Sequence, residues 1–91
     1  MHFTLYSRSY CHLCDDMLQA LRAFDVEGRF TIDVVDIDAD PSLVARYDEL
    51  VPVLLGHRVG APSLQICHYF LDLAALQAFV DAGNPATLTD S

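Results

Sequence analysis

Ninety-one residues, 53% of them hydrophobic, suffice for one compact domain that buries roughly two-thirds of its unfolded surface. Thirteen Asp and Glu stand against five basic residues, all arginine, for a formal charge of −8, a balance that repels polyanions and excludes nucleic acid and anionic membrane surfaces as partners. No uncharged run approaches the roughly 18 residues of a membrane span and no basic segment leads into an apolar stretch, so a soluble, cytoplasmic protein is expected. The first strand is predicted over Phe3–Ser7, followed by a short turn, Arg8-Ser9-Tyr10. The spacing of Leu13, Met17, Leu21 and Phe24 then predicts a helix from Cys11 to about Asp25, one apolar residue per turn being the mark of a helix packed on one side. Gly28 suits a left-handed cap, and Arg29–Ile37 alternates as a strand does, which makes a strand-helix-strand unit with parallel pairing. Asp40 and Pro41 form the start of a short second helix that ends near Tyr47, the carboxylate accepting backbone N–H groups and the proline sitting where a missing donor costs nothing. Val51–Leu55 is predicted as a third strand opening on Pro52, and a turn containing Gly56, Gly60 and Pro62 leads to a fourth strand, Leu64–Phe70. Asp72 caps a last helix in which Leu73, Leu76, Phe79 and Val80 recur, with Gly83 and Pro85 ending it. Residues 1–84 are thus expected to form one domain and 85–91 a flexible C-terminal tail.

The chemistry is concentrated in Cys11-His12-Leu13-Cys14, which lies between the first strand and the first helix. Free N–H groups and the dipole at a helix start stabilise a thiolate, and a thiolate is the nucleophile of disulfide exchange. Cys14, one helical turn further on, shares the face of Cys11 and can close a disulfide with it. A structural zinc site is the competing interpretation of two such cysteines. Zinc usually needs four ligands, and Cys67 and His68, as neighbours on one strand, point to opposite faces, so no metal and no organic cofactor are expected. Cys67, in an apolar strand, is expected to be a core thiol. His12 lies between the thiols and is expected to modulate them, while Asp15 and Asp16 oppose negative charge on Cys11.

With the order strand, helix, strand, helix, strand, strand, helix, a Cys-x-x-Cys after the first strand and a Val-Pro opening the third, the chain resembles the thioredoxin fold, a four-stranded mixed α/β sheet flanked by three helices. Within that superfamily it is most similar, over roughly residues 2–82, to the glutaredoxins, and in particular to short bacterial glutaredoxin-like proteins. The resemblance implies that Cys11 is the nucleophile and Cys14 the resolving thiol. It implies a cis peptide at Val51-Pro52 beside the dithiol, leaving the N–H and carbonyl of Val51 free for an extended substrate backbone. Arg8 corresponds to a position where glutaredoxins often carry a lysine that meets a glutathione carboxylate and supports the thiolate, and Tyr10 to one that is often aromatic and forms part of a substrate platform. Asp72 matches the carboxylate that caps the glutathione-binding turn. Two departures stand beside these matches. Leu50-Val51-Pro52 replaces Thr-Val-Pro, and His68-Tyr69-Phe70-Leu71 replaces the Gly-Gly turn whose N–H groups hold glutathione, so glutathione is not expected to bind in the usual way.

The expected activity is therefore thiol-disulfide exchange in cell redox homeostasis. The substrate would be a disulfide-containing protein or a small-molecule thiol, and an external reductant, the thioredoxin system or glutathione, would restore the dithiol. The alternative is a thioredoxin-fold binding or adaptor module whose dithiol is regulatory or incidental, because fold alone does not decide function.

Overall fold

The computed structural model describes residues 1–82. In chain order these form β1 (His2–Ser7), α1 (His12–Phe24), β2 (Thr31–Asp36), a single 3-10 turn (Ile37–Ala39), α2 (Pro41–Tyr47), β3 (Val53–His57), β4 (Leu64–His68) and α3 (Leu73–Ala82). The strands make one sheet in the order β2-β1-β3-β4. β1 runs parallel to β2 and antiparallel to β3, and β3 is antiparallel to β4. This is the mixed sheet with three α-helices that the resemblance implies, and the parallel β1–β2 pair is the one the strand-helix-strand order predicts.

Alternation along the two central strands sorts the core onto two faces. Phe3 and Leu5 of β1, Leu54 of β3 and Cys67 of β4 meet Met17 and Leu21 of α1 and Leu76 and Phe79 of α3. The intervening positions look the other way: Val53 and Leu55 join Ile37 and Tyr47, with Tyr6, Leu43 and Val44 packed at the margin. Tyr6 stacks on Tyr47 with ring centroids 4.7 Å apart, which holds α2 against the sheet. The β3–β4 register shifts between Leu54 and Leu55, so that Leu54 opposes Cys67 while Leu55 opposes Gln65.

Several boundaries differ from the sequence expectation, each for a local reason. β3 begins at Val53 and not at Val51, because Pro52 has no N–H for the ladder and the N–H of Val51 donates back to the carbonyl of Tyr47 at 3.1 Å. β4 ends at His68 and not at Phe70. Tyr69 has φ +64°, a left-handed conformation that turns the chain out of the sheet, and the N–H of Phe70 donates to the carbonyl of His68 at 2.7 Å. β2 is shorter than predicted, starting at Thr31. The preceding loop is tied down by Asp25, whose two carboxylate oxygens accept the N–H groups of Arg29 and Phe30, each at 2.8 Å. Val34 is exposed because β2 is the edge strand and only its first half, at Ile32, reaches the core. The helix stop at Gly83 and Pro85 and the tail at 85–91 lie outside the described residues. Among the described residues no helix is long and apolar enough to cross a membrane.

Gly56 is where β3 passes closest to α3. A Cβ built there would lie 2.5 Å from Cζ of Phe79 and 2.8 Å from both of its Cε atoms. Phe79 is itself confined, with the Phe3 ring centroid 5.5 Å from its own and the Arg58 guanidinium 4.1 Å from its ring centroid. Gly56→Ala is expected to destabilise the fold by about 1–3 kcal/mol through overpacking. Urea denaturation of the two proteins measures this difference.

Candidate active site

The dithiol stands where β1 passes into α1. Cys11 is the N-cap of the helix, with an extended backbone, and its Sγ accepts the N–H of Cys14 at 3.1 Å. The residue that begins the motif therefore also closes the first turn of the helix, the position in which backbone donors favour negative charge on a side chain. Cys11 and Cys14 are joined as a disulfide with their Cα atoms 5.2 Å apart. The two sulfurs differ in environment: Cys11 is half-buried at the surface, whereas Cys14 is 3% exposed. An incoming group meets Cys11 first.

Tyr10, just before the motif, has φ +60° and a fully exposed side chain. A tyrosine in the left-handed region is uncommon, and such conformations concentrate at functional sites. His12 and Leu13, the two residues between the cysteines, are both exposed. Arg8 is placed differently from the expectation that set it toward the thiolate. Its guanidinium donates to both carboxylate oxygens of Asp38, at 2.7 and 3.4 Å. That hydrogen-bonded pair raises the Arg8 pKa above its ordinary value, with smaller help from Asp48 and Asp36. Parallel pairing of Ser7 with Asp36 causes this, because it delivers the end of β2 and the following 3-10 turn to the side of the β1–α1 turn.

Val51–Pro52 is a cis peptide, as the resemblance implies. The expectation that both polar groups of Val51 would be free needs correcting, since its N–H is already held by Tyr47; the carbonyls of the last turn of α2 need donors, and Val51 lies within reach. Asp72 caps α3: its carboxylate accepts the N–H of Ala75 at 3.0 Å and its carbonyl that of Leu76 at 2.9 Å. Cys67 is 8% exposed. Burial pushes its thiol pKa up, partly offset by a hydrogen bond from the Asp72 backbone and reinforced by the Asp72 charge.

Tyr69 is a site residue that local pattern does not reveal. Its N–H donates to the carbonyl of Pro52 at 2.9 Å and its hydroxyl donates to the carbonyl of Glu49, so the turn after β4 is bolted to the cis-proline loop at two points. Only the β3–β4 register, with Val53 opposite His68, makes these contacts possible. Among the described residues no group of three or more His, Cys, Asp or Glu is arranged to hold a metal ion. Hollows of about 350 Å³ and 530 Å³ lie elsewhere, one beside Phe24 and Gln77 and the other beside His2 and His57.

The family model described as glutaredoxin-like domain (DUF836) matches residues 2–81. Protein Ne2328 from Nitrosomonas europaea is 32% identical, with a TM-score of 0.71 over 86% of this chain and 88% of its own. Protein XcR50 from X. campestris is 33% identical, with a TM-score of 0.64 over 90% of this chain and 99% of its own. Thioredoxin 1 from Thermosipho africanus TCF52B, at 16% identity and a TM-score of 0.59 over 90% and 97% of the two chains, shares the fold. No curated protein matches.

The contrast between the thiols is measurable. In the reduced protein at pH 7, Cys11 is expected to be alkylated at least about tenfold faster than Cys67, because access and thiolate fraction both favour it; mass mapping of the labelled peptides reads the ratio. In the oxidised protein, where only Cys67 can titrate as a thiol, a raised folded-state pKa gives a stability contribution that is intact below the ordinary thiol value of about 8.5 and is lost as pH rises through the folded value. Cys67→Ala is expected to flatten that alkaline fall in urea midpoints.

Proposed function

This chain belongs to the glutaredoxin-like domain family (DUF836), and we propose that within it the protein is a thiol-disulfide oxidoreductase working through Cys11 and Cys14. Support comes above all from one observation: a cysteine that caps α1 at the surface is bonded to a second, buried cysteine one turn into the same helix. In the reduced protein the Cys11 thiolate attacks one sulfur of a substrate disulfide, forming a mixed disulfide and releasing the first substrate thiolate, which takes a proton from water. The Cys14 thiolate then attacks Cys11 Sγ and expels the second substrate thiol. Two electrons have passed to the substrate, and the protein holds the Cys11–Cys14 disulfide until an external thiol reductant returns it to the dithiol.

The other residues have subsidiary parts in this proposal. The cis Val51–Pro52 peptide positions the substrate strand, with the Val51 carbonyl as the acceptor that remains once its N–H is held by Tyr47. Tyr10 offers an exposed ring next to the nucleophile, and His12 tunes the thiolate from within the motif. Arg8 acts at a distance, because Asp38 holds its guanidinium. Glutathione fits poorly as a tightly bound partner. The turn at which glutaredoxins offer glycine N–H groups carries Tyr69 and Phe70 here, the N–H of Tyr69 is taken by Pro52 and that of Phe70 by His68, and a charge of −8 repels the anionic tripeptide.

Cys11→Ser is expected to lower reduction of a small disulfide by about a hundredfold or more, while Cys14→Ser retains the first step and accumulates the mixed disulfide at Cys11. Coupled turnover assays and intact mass spectrometry distinguish the two. Retained turnover in Cys11→Ser would instead favour an adaptor whose dithiol is incidental. Titration of amide chemical shifts with glutathione is expected to give a Kd of about 1 mM or weaker.

A further inference from the structure

A groove of about 290 Å³ begins at Leu13, between the two cysteines in sequence, and runs between Asp16 and Met17 of α1 and Tyr69, Phe70 and Leu71 of the turn after β4. We propose that it selects the substrate: a cationic polypeptide disulfide in which the residue beside the attacked cysteine is apolar and is seated between Leu13 and Phe70. The proposal rests on the oxidoreductase function above and adds the substrate class.

Position, shape and charge each bear on the choice of occupant. Leu13 is part of the Cys-x-x-Cys segment itself, so a chain whose cysteine sulfur meets Cys11 has its neighbouring residue, about 3.5 Å further along an extended backbone, at the mouth of the groove. Phe70 is 69% exposed and Leu13 38%, an unusual outlay of apolar surface at a reactive site that a small hydrophilic disulfide would leave uncovered. The turn that presents Phe70 is fixed in place, because the hydroxyl and N–H of Tyr69 are both bonded to the cis-proline loop. A preformed wall costs little ordering on binding.

Charge decides between occupants. Asp15 and Asp16 on α1, Asp48 and Glu49 after α2, and Asp72 before α3 are all exposed around this end of the molecule. Among the cations, Arg8 is paired with Asp38 and has Asp36 and Asp48 close by, Arg46 lies over the Tyr47 ring, and Arg22 sits in the last turn of α1, at the other end of that helix from the dithiol. Arg29 pairs with Glu27 and Arg58 donates to the Phe79 carbonyl, both away from the dithiol. A predominantly negative field over an apolar slot attracts a basic segment and repels an acidic one, and it also opposes a second copy of this chain at −8.

The test uses four short disulfide peptides that differ only in having Phe or Ser beside the attacked cysteine and Lys or Glu in the flanks, together with the small neutral disulfide bis(2-hydroxyethyl) disulfide and dithiothreitol as reductant. For the wild-type protein kcat/KM is expected to favour Phe over Ser by about tenfold or more. Lys is expected to be favoured over Glu by about tenfold at low salt, the latter ratio shrinking toward one at 0.5 M salt as the charges are screened. Within the Phe70→Ser protein the Phe/Ser ratio should collapse while the Lys/Glu ratio persists, and within Asp15→Asn/Asp16→Asn the Lys/Glu ratio should fall while the Phe/Ser ratio persists. Equal turnover of all four peptides, or a preference for the Glu or Ser forms, while the neutral disulfide is reduced, would overturn the substrate class and leave the oxidoreductase function standing. No turnover of any disulfide would overturn both. A dimer in sedimentation that Phe70→Ser dissolves would assign the groove to a second copy of the chain and overturn the proposal.

Discussion

Met17 and Leu21 seat α1 on Phe3 and Leu5 of β1, and the end of the molecule that carries the dithiol depends on that seating. With one helix face committed to the sheet, Cys14, one turn before Met17, is drawn under the surface, while Cys11 is left at the rim where the chain arrives from β1. Burying four such side chains contributes on the order of 1.5–3 kcal/mol each, more than the capping bond between the Cys14 N–H and Cys11 Sγ can supply. Packing thus places the helix, and the cap orients the sulfur on it.

The sheet supplies the second constraint. Because β1 is central, pairing with β2 on one side and β3 on the other, the ends of both neighbours converge on the β1–α1 turn. From β2 comes the 3-10 turn that holds Arg8 through Asp38. On the β3 side stands the cis-proline loop, to which Tyr69 ties the exit of β4. Distant segments of chain therefore meet around one dithiol, and their polar groups are largely satisfied by one another. The N–H groups of Val51, Tyr69 and Phe70 are taken up in this way, while the side chains of Tyr10, Leu13 and Phe70 stay exposed among a surround of carboxylates.

Tyr69 and Tyr10 illustrate what this arrangement costs. Both adopt positive φ, a conformation that disfavours bulky residues by roughly 1–2 kcal/mol, and a glycine at either place would relieve the backbone. At Tyr69 the compensation is visible in the bonds to Pro52 and Glu49. The Tyr10 side chain, fully exposed, has no such compensation in packing.

Much of this was legible in the chain before any coordinates. The apolar spacing of Leu13, Met17, Leu21 and Phe24 set the first helix, with Met17 and Leu21 on its buried face and Leu13 left exposed, Asp40-Pro41 and Asp72 marked two helix starts, and the Cys-x-x-Cys at a strand-to-helix junction located the dithiol; these are local signals, carried by neighbours within one turn or one strand. The register between strands, the commitment of Arg8 to Asp38, the capture of the Val51 N–H by Tyr47, the edge position that exposes Val34 and the anchoring of Tyr69 were decided by tertiary structure alone. Each depends on residues separated in sequence whose meeting is set by how strands pair and where helices pack, and no periodicity within a single segment encodes that.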